Sequence, residues 1–308
     1  MGEGSRLDSG EAFDAEEPIL PRKAGPLAPG LYLVATPIGN LEDMTLRALR
    51  VLREADRIAC EDTRQTQKLL NHFGIKTPTV SYHMHNEGSR AGELTAELKA
   101  GARIAVVSDA GTPGIADPGS QIAAAAIAAG VSVFPIPGAN AALSALIASG
   151  LGTERFTFRG FLPSKAGARK SALEALARDG GTEIFYETPH RILEALADVE
   201  AVFGGAERVV LARELTKLHE EFLRGAVAEV RGQLAGRASV RGEMVLLLAP
   251  AAVSASGKTV GSIADEIAAL VRAEGLSEMA ALKRVAKERG LGKSEAYREL
   301  QREQGRRR

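Results

Sequence analysis

From Leu31 onward the chain repeats one unit: a short β-rich run, a loop dense in glycine and proline, then apolar residues at helical spacing. Leu31 to Ala35 leads into Thr36-Pro37-Ile38-Gly39-Asn40 and a stretch carrying Leu46, Leu49 and Leu52. Arg57 to Cys60 leads into Glu61-Asp62-Thr63-Arg64 and a second helical pattern. Arg103 to Val107 enters the long loop Ser108 to Gly119; after an Ala-rich helix, Val131 to Phe134 enters Pro135-Ile136-Pro137-Gly138-Ala139-Asn140. Strands separated by helices pair in parallel, so the pattern predicts an α/β domain with ligand crevices beyond the carboxyl ends of its strands.

The alternation loosens near Gly150 to Phe161. Strands are expected at Phe156–Phe158, Glu183–Tyr186, Arg208–Ala212, Glu221–Arg224 and Met244–Ala249, in a mixed α+β sheet. The expected organisation is a disordered leader over 1–28, an N-terminal α/β domain over 29–150, a C-terminal α+β domain over 151–250, and a small helical module over 257–308. In that module Ser262, Ser277 and Ser294 stand where helix caps belong. The turn Gly290-Leu291-Gly292-Lys293 gives it the outline of a helix-turn-helix, and a plain three-helix docking module fits equally.

Charge narrows the partners. The 39 basic and 39 acidic residues cancel, yet residues 1–28 hold 6 acidic and 3 basic, whereas residues 257–308 hold 12 basic and 8 acidic. A basic C-terminus ending in Arg306, Arg307 and Arg308 suits nucleic acid or a solvated tail. No apolar run approaches the roughly 18 residues of a membrane span, and the acidic start does not read as a signal peptide, so a cytoplasmic protein is expected. Cys60, the single cysteine, lies in an apolar run and reads as a buried structural thiol.

Nucleotide fingerprints fail. There is no GxGxxG after a strand, and Ser256-Gly257-Lys258-Thr259 imitates a P-loop whose first glycine is replaced by Ala252. No lysine sits within the glycine-rich loops. Their backbone carbonyls and scattered carboxylates suit an uncharged or cationic ligand better than a polyphosphate.

Seven strings in fixed order carry a resemblance. Tyr32 to Asp43, Glu61-Asp62-Thr63-Arg64, Ser108 to Gly119, Gly160-Phe161-Leu162-Pro163, Phe185-Tyr186-Glu187 with Pro189-His190-Arg191, Ala212 to Lys217, and Gly242-Glu243-Met244-Val245 resemble the ribosomal small-subunit methyltransferase I family, within the tetrapyrrole-methylase-like superfamily. The resemblance implies a two-domain fold with S-adenosylmethionine in the cleft, a homodimer, and methylation of a cytidine ribose 2′-oxygen in the decoding centre of 16S ribosomal RNA. Carried over by position, it implies that Pro37, Asp109, Ala110, Gly111, Thr112, Ile115, Asn140 and Ala141 line the cofactor, with Tyr186, Glu187 and Leu215 closing over it. One departure is Ala139-Asn140, where relatives commonly carry Pro-Cys or Pro-Ser.

Methyl transfer from a sulfonium is an in-line displacement, so alignment comes first and a proton acceptor for the hydroxyl second. Asp62, Glu187 and Glu214 are the candidate acceptors, each equally readable as an ion-pair partner of a nearby arginine. Arg64, Lys165, Arg169, His190, Arg191, Arg213 and Lys217 are candidate phosphate contacts. No metal is expected: His190 has no second ligand at spacing, and His83 with His85 lacks further ligands. Two rival readings remain, a tetrapyrrole C-methyltransferase of the same fold and a helix-turn-helix regulator whose α/β body senses a ligand.

Overall fold

The computed structural model describes residues 25–84, 86–176, 180–250, 263–288, 296 and 300. The chain divides into two compact units, Met1–Asn140 and Ala141–Arg308. In the first, β1 (Gly30–Val34), β2 (Arg57–Cys60), β3 (Thr79–Ser81), β4 (Arg103–Val107) and β5 (Val133–Ile136) form a sheet of order β3-β2-β4-β1-β5. Every pairing in it is parallel.

Period-two alternation splits these strands between two cores. Leu31, Ala59, Ile104 and Val106 face one way, packing with Leu94 and Leu98 of α3 (Glu87–Lys99) and Ile122 of α4 (Ser120–Ala128). Tyr32, Val34, Ile58, Cys60, Ala105 and Val107 face the other, against Val51 and Leu52 of α1 (Leu46–Glu54) and Leu70 of α2 (Thr63–His72). Both faces are covered, which is why these strands read as continuous apolar runs. Cys60 is fully buried, and burial pushes its thiol pKa up, as befits a packing residue.

The second unit opens with α5 (Ala141–Ser149), so the division falls before this helix rather than near Gly150. The helix packs on β10 (Met244–Leu248) and β7 (Thr182–Glu187), which keeps it with the second sheet. With β6 (Phe156–Phe161), β8 (Arg208–Arg213) and β9 (Glu221–Ala226), that sheet has the order β6-β7-β10-β8-β9. Only β6 and β7 are parallel; the other pairings are antiparallel, giving the mixed sheet expected. Its other face is covered by α6 (Ala166–Glu174), α7 (Ile192–Phe203) and α8 (Val227–Ala235) around Phe185, Leu211, Leu246 and Leu248.

Two further helices, α9 (Ile263–Glu274) and α10 (Glu278–Glu288), share a core of Ile263, Ile267, Leu282 and Val285 with Ala296 and Leu300. The Ser277 hydroxyl oxygen accepts from the Ala280 amide at 3.3 Å, the cap expected there. Ser262, Ser294, the turn 290–293, the P-loop-like string and His85 lie outside the described residues. So do residues 1–24 of the expected leader, but its last residues are held: Leu27 is buried and Tyr32 Oη donates to the Ala28 carbonyl at 2.6 Å. No helix among the described residues is long and apolar enough to cross a membrane.

Candidate active site

The loop after β4 joins the others at the carboxyl edge of the first sheet. Thr36 and Gly111 exchange both main-chain hydrogen bonds, at 2.9 and 3.0 Å, which ties it to the loop after β1. Thr112 Oγ1 donates to the Ala139 carbonyl at 3.1 Å and accepts from Asn140 Nδ2 at 3.2 Å, which ties it to the loop after β5. Asp109 Oδ1 accepts the Asp62 amide at 3.1 Å, which ties it to the loop after β2. Gly138 permits the closest approach: a Cβ there would stand 2.9 Å from the Ala35 methyl. Pro37 and Gly111 are buried within this framework, Thr112 and Asn140 are half-buried, and Asp109, Ala110 and Ile115 are exposed.

The edge is acidic. Burial, reinforced by the charges of Glu61 and Asp109, pushes the Asp117 carboxyl up to about 6; the Ser108 hydroxyl pulls it the other way. Burial raises Glu61 too, again with Asp109 reinforcing the shift. The loops after β1, β4 and β5 hold no lysine or arginine. A rigid rim of backbone polar groups with an excess of carboxylates suits a cationic ligand, and a sulfonium cofactor with an amino group fits that chemistry. Among the described residues, no three His, Cys, Asp or Glu side chains are grouped as a metal site would require.

In the second unit, β8 ends in a strained loop. Glu214 and Thr216 have φ of +53° and +64°, a left-handed conformation that costs L-residues energy and persists only when neighbours enforce it. Here Glu214 Oε1 accepts from Lys217 Nζ at 2.8 Å and from the Glu243 amide at 3.0 Å, and Lys217 Nζ also reaches Glu243 at 2.9 Å. Leu215 is buried between these clasps. At the end of β7, the buried Glu187 accepts the Thr188 amide at 2.9 Å and pairs with Arg191 at 3.4 Å. Tyr186 beside it is half-buried.

Known proteins place this architecture. The sequence profile of the tetrapyrrole (corrin/porphyrin) methylases matches residues 30–231. The chain is 48% identical over 275 residues to "Ribosomal RNA small subunit methyltransferase I" of Halalkalibacterium halodurans, covering 87% of this chain and 93% of that one. It is 47% identical over 268 residues to the protein of the same name from Synechocystis, covering 87% and 95%. The chain belongs to the ribosomal RNA small subunit methyltransferase I family. Among solved structures, uroporphyrin-III-C-methyltransferase from Thermus thermophilus superposes with a TM-score of 0.51 at 21% identity, covering 71% of this chain and 94% of that one. That likeness shows the tetrapyrrole-methylase fold.

Within the small subunit methyltransferase I fold, the residues expected at the cofactor on the first unit are gathered on one sheet edge, with Ala141 opening α5. The departure at Ala139-Asn140 keeps the loop closed, since both residues bond Thr112. The acceptor candidates separate. Glu214 is held below its ordinary carboxylate value, chiefly by Lys217, and serves as a loop clasp. Glu187 is committed to Thr188 and Arg191. Asp62 caps α2 through Arg64 N at 2.8 Å and stays exposed.

The expected phosphate contacts separate as well. Arg64, Lys165 and His190 are exposed. Arg169 is not available: it is 1% exposed, its Nε is 2.6 Å from Asp198, and it also reaches Glu194 and the carbonyls of Pro163 and Ser164. Arg191 donates to the Leu162 carbonyl at 2.5 Å and pairs with Glu187. Arg213 serves Glu221 and two carbonyls, and Lys217 serves Glu214 and Glu243. Asp117 was not among the expected site residues. The available signal was a second carboxylate, after Asp109, inside the same Gly/Pro loop.

Proposed function

We propose that this methyltransferase transfers a methyl group from S-adenosylmethionine to the ribose 2′-oxygen of a cytidine in the decoding centre of 16S ribosomal RNA. The observation that carries the reading is 48% identity across 87% of the chain with a protein named as a small-subunit ribosomal RNA methyltransferase. The likeness to the C-methyltransferase, at 21% identity, speaks for fold and not substrate.

When bound, the cofactor supplies a methyl group on a positively charged sulfur. This chain's part is to hold and align. Pro37, Asp109 to Thr112, Ile115 and Asn140 form the rigid cradle, with the carboxylates of Asp109, Glu61 and Asp117 facing a cation. Asp62 is the acceptor for the hydroxyl proton: it is exposed, and the cap occupies only one of its oxygens. Arg64, Lys165 and His190 take the phosphates. The working protein is a cytoplasmic homodimer, a state that light scattering on the purified chain checks.

The decisive assay offers tritiated S-adenosylmethionine to small ribosomal subunits lacking the modification. Label is expected in the RNA, and none when the target nucleotide is its 2′-deoxy analogue. Equal labelling of the deoxy substrate would move the reaction to the base.

A further inference from the structure

β6 is an edge strand, and its register against β7 slips by one residue. Phe158 pairs with Ile184, but Phe161 pairs with Tyr186, so three steps along β6 match two along β7. Gly160 absorbs the extra residue at a φ of +68°, a conformation open to glycine at no steric cost. Strand side chains alternate faces, so an unbroken β6 would have turned Phe161 away from Phe158. The bulge instead puts both on the face of Tyr186, while Leu162 turns to the opposite face and packs with Phe185 in the core. Tyr186 stands edge-on to both rings, with centroids 4.8 Å from Phe158 and 5.7 Å from Phe161. Phe161 is nevertheless 51% exposed.

The segment that follows is clamped. Arg191 donates to the Leu162 carbonyl, and Arg169 to those of Pro163 and Ser164. Lys165 is exposed at the end of this segment, and His190 is exposed in the turn that Arg191 ties to it. An aromatic ring held half in solvent on a strand edge, with an exposed lysine at the end of the clamped segment that follows and an exposed imidazole in the turn tied to it, matches how proteins hold single-stranded nucleic acid: bases stack and phosphates pair.

We propose that Phe161 is a stacking platform for an unstacked nucleobase of the RNA substrate, with Lys165 and His190 at the adjoining phosphates. The proposal rests on the RNA reading above and names the surface that receives the substrate.

The test measures binding to small ribosomal subunits lacking the modification. Phe161→Ala and Phe161→Leu are both expected to weaken binding roughly tenfold and raise KM, because neither offers a π-face. Cofactor affinity, melting temperature and the salt slope of binding should stay at wild-type values. Phe161→Trp should retain affinity. The chain has no tryptophan of its own, so the emission of this variant bound to subunits, less that of the wild-type complex, also reports stacking as quenching. Wild-type affinity in Phe161→Leu, or an unquenched tryptophan, overturns the platform. A loss of cofactor affinity in Phe161→Ala also overturns it, because the base would then be the cofactor's adenine. If the wild-type chain neither binds nor methylates the subunits, the RNA reading falls and the platform with it; if it does both, only the platform is at stake.

Discussion

The main-chain amide of Asp62 donates to the Asp109 carboxylate across 3.1 Å, so the loop after β2 hangs on a side chain from the loop after β4. Asp109 thus does two things: its oxygen fixes a neighbouring loop, and its charge stands exposed at the strand ends. The two parts separate by substitution. Asp109→Asn keeps an acceptor for Asp62 and loses the charge; Asp109→Ala loses both. Calorimetry should show S-adenosylmethionine bound at least about tenfold more weakly by each, equivalent to ~1.4 kcal/mol. Only Asp109→Ala should also lose about 1 kcal/mol of stability. Unchanged cofactor affinity in both variants removes Asp109 from the site.

Asp117 sets a pH dependence. Its folded pKa of about 6 lies above the ordinary 3.8, so between those values the folded chain holds a proton that the unfolded chain releases. Its contribution to stability is therefore full below pH 3.8, falls as pH rises toward 6, and is flat above. A cationic ligand has the opposite preference, because only the ionised carboxylate attracts it. Cofactor affinity should rise as pH rises through about 6, and Asp117→Asn should flatten that step. Glu61, Asp109 and His83 act on the same group of carboxyls, so the step has to be read as a difference between variant and wild type. An identical step in Asp117→Asn assigns it to Glu61 instead.

What was legible in the sequence was whatever depends on local pattern. β2 and β4 fall where their apolar runs place them, because strands covered on both faces advertise themselves by unbroken hydrophobicity. β3 went unseen: it spans three half-buried residues after Pro78 at the far edge of the sheet. β5 begins and ends two residues later than expected because Pro135 reads as a turn, yet an edge strand tolerates a residue that cannot donate. The loops at the strand ends were legible through their glycines. The role of Arg169 was not, since its partner Asp198 lies 29 residues away in the chain; Glu214 has a local partner in Lys217, but the Glu243 amide that completes its clasp is also 29 residues away. Arg169 did leave one sign: it sits four residues before the buried Leu173, on the core stripe of α6.

Arg169 and Lys165 illustrate how far two basic residues in one motif can differ. Arg169 is a buried guanidinium between Asp198, Glu194 and two carbonyls. Arg169→Ala would leave Asp198, which is only 10% exposed, with Lys170 alone at 3.6 Å, and should cost ~3 kcal/mol in chemical denaturation. Lys165→Ala should leave stability within about 0.5 kcal/mol. Its effect should be on the salt dependence of RNA binding, whose slope should drop by about one phosphate contact. A shallower slope for Arg169→Ala with no loss of stability would reverse the two assignments.

Glu214 gives the sharpest contrast between a proton acceptor and a clasp. Lys217 and the Glu243 amide hold its carboxylate below the ordinary 4.5, so its stabilising contribution is present above pH 4.5 and fades as pH falls through the lower folded value. A group held ionised by a neighbouring ammonium is a poor base, and the same contacts enforce the left-handed conformations at Glu214 and Thr216. Glu214→Gln should therefore destabilise the chain by about 1 kcal/mol. It should also leave turnover far above the hundredfold or greater loss typical of removing a general base. Lys217→Met should do the same, and the double variant should be no worse than the worse single one, because both break one clasp. Asp62→Asn should instead lose the hundredfold in kcat while keeping the α2 cap, since the amide oxygen still accepts from Arg64 N. If Glu214→Gln shows the catalytic loss and Asp62→Asn does not, the proton passes to Glu214 and the clasp is secondary.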